Sequence, residues 1–100
     1  MALTRDYEES LGEDLSDPEE AAEYLSSCLE EGPEVFLLGL RDVAKAQGGM
    51  SKLAEDAKLA REALYRMLSE EGNPTFASIS AVLHSLGIHL QFVAAQQAKS

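Results

Sequence analysis

Apolar residues along this chain recur mostly at intervals of three and four, the spacing of a helix with one buried face. Ala21, Ala22, Leu25, Cys28 and Leu29 form one such stripe, opened by Asp17-Pro18-Glu19-Glu20 and closed by Gly32. Asp17 suits a helix cap, Pro18 the first helical position, and Glu20 sits three residues after the cap. A second helix starts at Pro33-Glu34, turns Phe36, Leu37, Leu40, Val43 and Ala44 inward, and stops at Gly48-Gly49. Ser51 is placed to cap a short third helix carrying Leu53, Ala54 and Ala57. A fourth runs from about Ala60 to Leu68, with Leu64 and Leu68 inward. Gly72-Asn73-Pro74 breaks the chain. Thr75 then caps a fifth helix with Phe76, Ile79, Val82, Leu83 and Leu86 at helical spacing, and Gly87 ends it.

Beyond Gly87 the period changes. Ile88, Leu90 and Phe92 alternate with His89 and Gln91, which reads as a strand. A lone strand leaves its backbone donors and acceptors unpaired, and nothing else in the chain reads as β. Its expected partner is the same strand of a second copy, antiparallel across a two-fold axis, which makes the protein a homodimer. At the other end, Leu3, Tyr7, Leu11 and Leu15 lie four apart among acids, yet Gly12 and the lack of a cap leave an isolated helix marginal. The expectation is a mainly α fold. Residues 1–16 form an acidic arm that orders against a partner, 17–93 a five-helix domain with a short C-terminal strand, and 94–100 a flexible tail.

One hundred residues suffice for one core, and 45% hydrophobic residues exclude a disordered chain. No apolar run approaches the roughly 20 residues of a membrane span. No basic segment followed by an apolar run opens the chain, and its single cysteine, Cys28, fits a reducing compartment, so a cytoplasmic protein is expected. The formal charge of −10 argues at first against nucleic acid. That charge is uneven, however. Residues 1–34 hold twelve acids and one base, whereas residues 35–100 hold six acids and seven bases. The basic middle contains Arg41, Lys45, Lys52, Lys58, Arg61 and Arg66. Such asymmetry points to two partners of opposite charge.

The spacing from Met50 to Ser69 fits a helix-turn-helix: a short helix, a turn of three or four residues, and a second short helix. Ala54 supplies the small residue for close crossing, Leu59 plugs the turn, and Leu64 and Leu68 face inward. Arg61, Glu62, Tyr65 and Arg66 then face outward on the second helix, where arginine can read guanine edges in a major groove. Lys52 and Lys58 are placed to hold phosphates. Two positions depart from the pattern. Lys58 stands where the turn usually has glycine, and Ala60 where a Ser or Thr cap is common.

Other chemistry has little support. His84 and His89 lack further ligands at metal spacing, and Cys28 falls on an apolar stripe. The carboxylates lie in an acidic run without a pocket pattern, and no phosphate-binding glycine motif follows Gly48-Gly49. No catalytic residue, cofactor or metal is expected, and the chain reads as a binding protein and not an enzyme.

The runs Met50-Ser51-Lys52-Leu53-Ala54, Arg61-Glu62-Ala63-Leu64-Tyr65-Arg66-Met67-Leu68-Ser69 and Gly72-Asn73-Pro74-Thr75-Phe76 resemble the addiction-module antidote proteins with a lambda-repressor-like helix-turn-helix. So do Asp17-Pro18-Glu19-Glu20-Ala21-Ala22-Glu23-Tyr24-Leu25 and Leu86-Gly87-Ile88. The resemblance spans about residues 5–93. It implies an antitoxin that binds a small basic toxin of the RelE/ParE type and, as a dimer, represses its own operon at operator DNA. Against such a toxin, Tyr7, Leu11, Leu15 and Tyr24 would be apolar anchors while the carboxylates steer association. Two other readings remain: a stand-alone helix-turn-helix regulator, and an acidic protein-binding module whose helical pair is a packing device.

Overall fold

A computed structural model of the chain describes residues 15–95. Gly32 separates α1 (Pro18–Glu31) from α2 (Pro33–Ala46), each helix beginning on a proline. Three shorter helices follow: α3 (Met50–Ala57), α4 (Arg61–Met67) and α5 (Phe76–Ser85). Asp17 occupies the cap position of α1 in extended backbone, but its side chain makes no capping hydrogen bond. Thr75 does cap α5, its Oγ1 accepting from the Ser78 N–H at 3.1 Å. The third helix starts two residues earlier than a Ser51 cap requires, at Met50, because Met50 is itself buried and Gly49 takes the cap position.

α1 packs on α2, α2 on α3, and α3 on both α4 and α5. The first seam is close because α2 carries glycine there. A Cβ on Gly39 would stand 2.9 Å from Cys28 Sγ and 3.3 Å from Leu25 Cδ2. Leu40 and Val43 of α2, Leu64 of α4, Leu68 just after it and Val82 of α5 are the largest fully buried side chains, and they join one apolar core. Gln47 ties the ends of two helices together, its Nε2 donating to the Leu86 carbonyl at 3.2 Å. Two residues placed inward by spacing are not covered: Leu29 is 54% exposed and Phe76 67%. No helix among the described residues is long and apolar enough to cross a membrane.

Across the α1–α2 seam the Tyr24 hydroxyl donates to Asp42 Oδ2 at 2.7 Å. Burial, and then the neighbouring Asp42 carboxylate, hold the Tyr24 phenol well above its ordinary value, and burial also raises the Cys28 thiol. Tyr24→Phe is expected to cost about 0.5–1.5 kcal/mol at neutral pH through the lost hydrogen bond. Because the folded pKa lies above the unfolded one, the stabilisation by the neutral phenol is complete below about pH 10 and fades as the pH rises further. The gap between wild type and Tyr24→Phe should therefore narrow in alkaline thermal melts. A gap that stays constant through that range would contradict the Tyr24–Asp42 coupling.

α5 ends in a Schellman turn. Gly87, at φ 82, donates to the His84 carbonyl at 3.0 Å, and Ile88 donates to the Leu83 carbonyl at 2.9 Å. Ile88 then packs half-buried against the core. The strand expected over Ile88, Leu90 and Phe92 is not formed, and no strand occurs among the described residues. A ladder needs a second row of backbone groups, which no other described segment supplies. The Ile88 N–H is in any case committed to the helix end. Leu90 and Phe92 are exposed, Phe92 to 86%.

Candidate nucleic-acid interface

α3 and α4 are joined by Lys58, Leu59 and Ala60. The turn leaves α3 by the same hydrogen-bond pattern that ends α5. Lys58 donates to the Glu55 carbonyl at 3.2 Å and Leu59 to the Ala54 carbonyl at 2.9 Å. Lys58 is left-handed, at φ 60 and ψ 44, and is the one non-glycine residue with positive φ among the described residues. Leu59 is half-buried against the core and Ala54 is buried, so the turn is pinned from inside. Ala60 precedes α4 in extended backbone and offers no side-chain cap. Both sequence departures are therefore real features of the turn.

A lysine in the left-handed region is costly because its Cβ crowds the following carbonyl. Lys58→Gly removes that strain but loosens the unfolded chain, so the expected net gain is roughly 0.5–1 kcal/mol. For a domain of this size that is a rise of a few degrees in the melting midpoint, measurable by circular dichroism. A lower midpoint would mean that the Lys58 side chain contributes more than the turn geometry costs.

Leu64 faces the core with no exposure, while Arg61, Glu62, Tyr65 and Arg66 face solvent. The Ser69 hydroxyl donates to the Arg66 carbonyl at 2.8 Å and closes the C-terminal end of α4. The exposed face thus brings Arg61, Glu62, Tyr65 and Arg66 together, with Lys58 exposed in the turn. Lys52 is also exposed, but its Nζ pairs with Asp56 Oδ2 at 2.8 Å, one turn along α3. The hydrogen bond that Lys52 donates to Asp56, and the Asp56 charge, raise the pKa of the Lys52 ammonium. An exposed pair of this kind is worth little and can be exchanged for a phosphate. Arg41 of α2 reaches the same face. Its guanidinium carbon lies 5.3 Å from the centroid of the Tyr65 ring, and that of Arg61 lies 5.9 Å from the same centroid. Spacing along one helix gives no sign of this contact, because it joins residues of two separately packed helices.

The other sequence-derived site residues fall elsewhere. Tyr7 and Leu11 lie outside the described residues. Leu15 is 3% exposed and belongs to the core, and Tyr24 is half-buried with its hydroxyl held by Asp42. Both therefore already have partners within the chain. Among the described residues, no group of three or more His, Cys, Asp or Glu side chains is arranged to hold a metal ion.

These features define a small helical domain with a cationic, partly aromatic helix face. Residues 7–94 match a family described as "Probable addiction module antidote protein". The chain belongs to that family. A protein of Haemophilus influenzae described as "Uncharacterized protein" is 42% identical over 82 residues, which cover 81% of this chain and 84% of that protein. No solved structure matches the chain.

Proposed function

We propose that this chain is the antitoxin of a type II toxin–antitoxin module. In this reading α3 and α4 act as a lambda-repressor-like helix-turn-helix that binds operator DNA and represses the chain's own operon. The acidic N-terminal third neutralises a basic toxin of the RelE/ParE type by direct binding. Neither role involves catalysis. The observation that carries the DNA-binding half is the solvent face of α4, where Arg61, Tyr65 and Arg66 stand exposed above the fully buried Leu64. Membership of the antidote family supports the toxin-binding half, and so does the concentration of twelve acids in residues 1–34. With Leu15 and Tyr24 engaged internally, Tyr7 and Leu11 are the anchors left to the arm.

Dimerisation is assigned to the segment after Ile88. The exposed Leu90 and Phe92 would pair with a second copy, and the dimer would read two half-sites about 34 Å apart. Light scattering at micromolar concentration should then give twice the chain mass of 10.8 kDa.

The test is capture of the neighbouring gene's product and binding of promoter DNA, measured on the full chain and on a chain lacking residues 1–14. The shortened chain keeps Leu15 in the core. It should lose the captured protein and keep the DNA. Capture undiminished by the deletion would remove the arm from neutralisation. DNA binding with no capture at all would leave a stand-alone regulator.

A further inference from the structure

Tyr65 joins two helices that are fixed independently. Beneath it, Leu64 locks α4 into the core, while Leu40 and Val43 lock α2 on either side of Arg41 in sequence. Between these anchored elements the Tyr65 ring has two guanidiniums within 6 Å of its centroid, from Arg41 and Arg61. That is the range in which the ring quadrupole attracts a cation. Among the described residues no ion pair joins a carboxylate to either guanidinium, whereas Lys52 of α3 is paired with Asp56. Glu70 and Glu71 share an open depression with Arg41 without closing on it. Tyr65 itself remains 38% exposed.

A free arginine samples many rotamers and loses that freedom when it binds a base edge, whereas a side chain already held loses less. Arg61 is held through Tyr65, and Tyr65 is held from α2. We infer that Arg41 is a positioning residue of the DNA-reading face: it clamps Tyr65 from outside the helical pair and thereby fixes where Arg61 presents its fork. This inference rests on the DNA-binding reading above. It assigns part of sequence discrimination to a residue outside the turn and both of its helices.

The test uses the full chain, a duplex spanning the promoter of its own gene, and a scrambled duplex of equal length. Affinities are measured by fluorescence anisotropy at several salt concentrations. Arg41→Gln should lower the promoter-to-scrambled affinity ratio roughly two- to fivefold, the size of an exposed cation–π contact. Its melting midpoint should fall by no more than the few degrees that one exposed cation–π contact is worth, and Arg41→Lys, which keeps a cation near the ring, should recover part of the ratio. Tyr65→Leu should lower the ratio by a similar factor, and the double variant should fall no further than either single one. If the midpoint of Arg41→Gln falls by more than those few degrees, Arg41→Lys and Tyr65→Leu carry the comparison.

Equal loss on both duplexes, with a salt slope shallower by about one, would make Arg41 a phosphate contact and overturn the positioning role. Additive effects of Arg41→Gln and Tyr65→Leu, or an unchanged ratio, would overturn it too. In each of those cases the wild type still prefers the promoter and the DNA-binding reading survives. A wild type that does not prefer the promoter would overturn that reading, and the positioning role with it.

Discussion

Leu64→Ala is expected to lower the unfolding free energy by about 2–5 kcal/mol, a large part of the roughly 5–15 kcal/mol that a domain of this size has. Leu64 has no exposed surface and lies among the largest fully buried side chains. It also holds a helix that does not stand alone. α4 has seven residues and no side-chain cap, far below the length at which an isolated helix is stable in water. Burial of Leu64 and Leu68 therefore carries the element that displays Arg61, Tyr65 and Arg66. Urea unfolding should show a lower midpoint with little change in slope. Leu29→Ala is the control. With 54% exposure it should change stability by no more than about 0.5 kcal/mol. A loss below about 1 kcal/mol at Leu64 would mean that α4 is not docked on this core through that side chain.

The contrast between those two leucines also marks what the sequence could reveal. Caps and breakers located the helices because each acts through backbone chemistry local to a few residues: Pro18, Gly32-Pro33, Gly48-Gly49, Thr75 and Gly87. Periodicity placed Leu29 and Phe76 on apolar stripes, but a stripe says which residues share a side, not which of them a neighbour covers. The left-handed Lys58 was legible as a departure from glycine because the turn length fixed its position. Contacts between helices were not legible. Tyr24 meets Asp42 and Arg41 meets Tyr65 through packing of the α2 helix against α1 and beside α4. The alternation from Ile88 to Phe92 did not translate into a strand. A helix end claims the Ile88 N–H, and no other described residue offers the row of backbone groups that a ladder needs.

On the DNA-binding reading, Arg61→Ala combined with Arg66→Ala should weaken promoter binding roughly 30-fold to 10⁴-fold, because a bidentate arginine–guanine contact is worth about 1–3 kcal/mol. Both side chains are exposed, so the fold should survive, with a cost of at most about 1 kcal/mol from the Arg61–Tyr65 contact. Where the lost affinity appears separates base reading from charge. If the arginines read bases, scrambled DNA should bind almost as before and the salt slope should hold. If they grip phosphates, both duplexes should weaken and the slope should fall by about 0.9 for each contact. The charge map favours a sensitive outcome. Residues 35–100 carry a net charge of only +1 beside an N-terminal third at −11. Non-specific attraction is therefore weak, and little of it can mask the loss of two specific contacts. The same balance predicts that a basic protein covering the acidic third should strengthen promoter binding by the wild type, most of all at low salt. Unchanged affinity and slope in the double variant would take α4 off the DNA-binding face altogether.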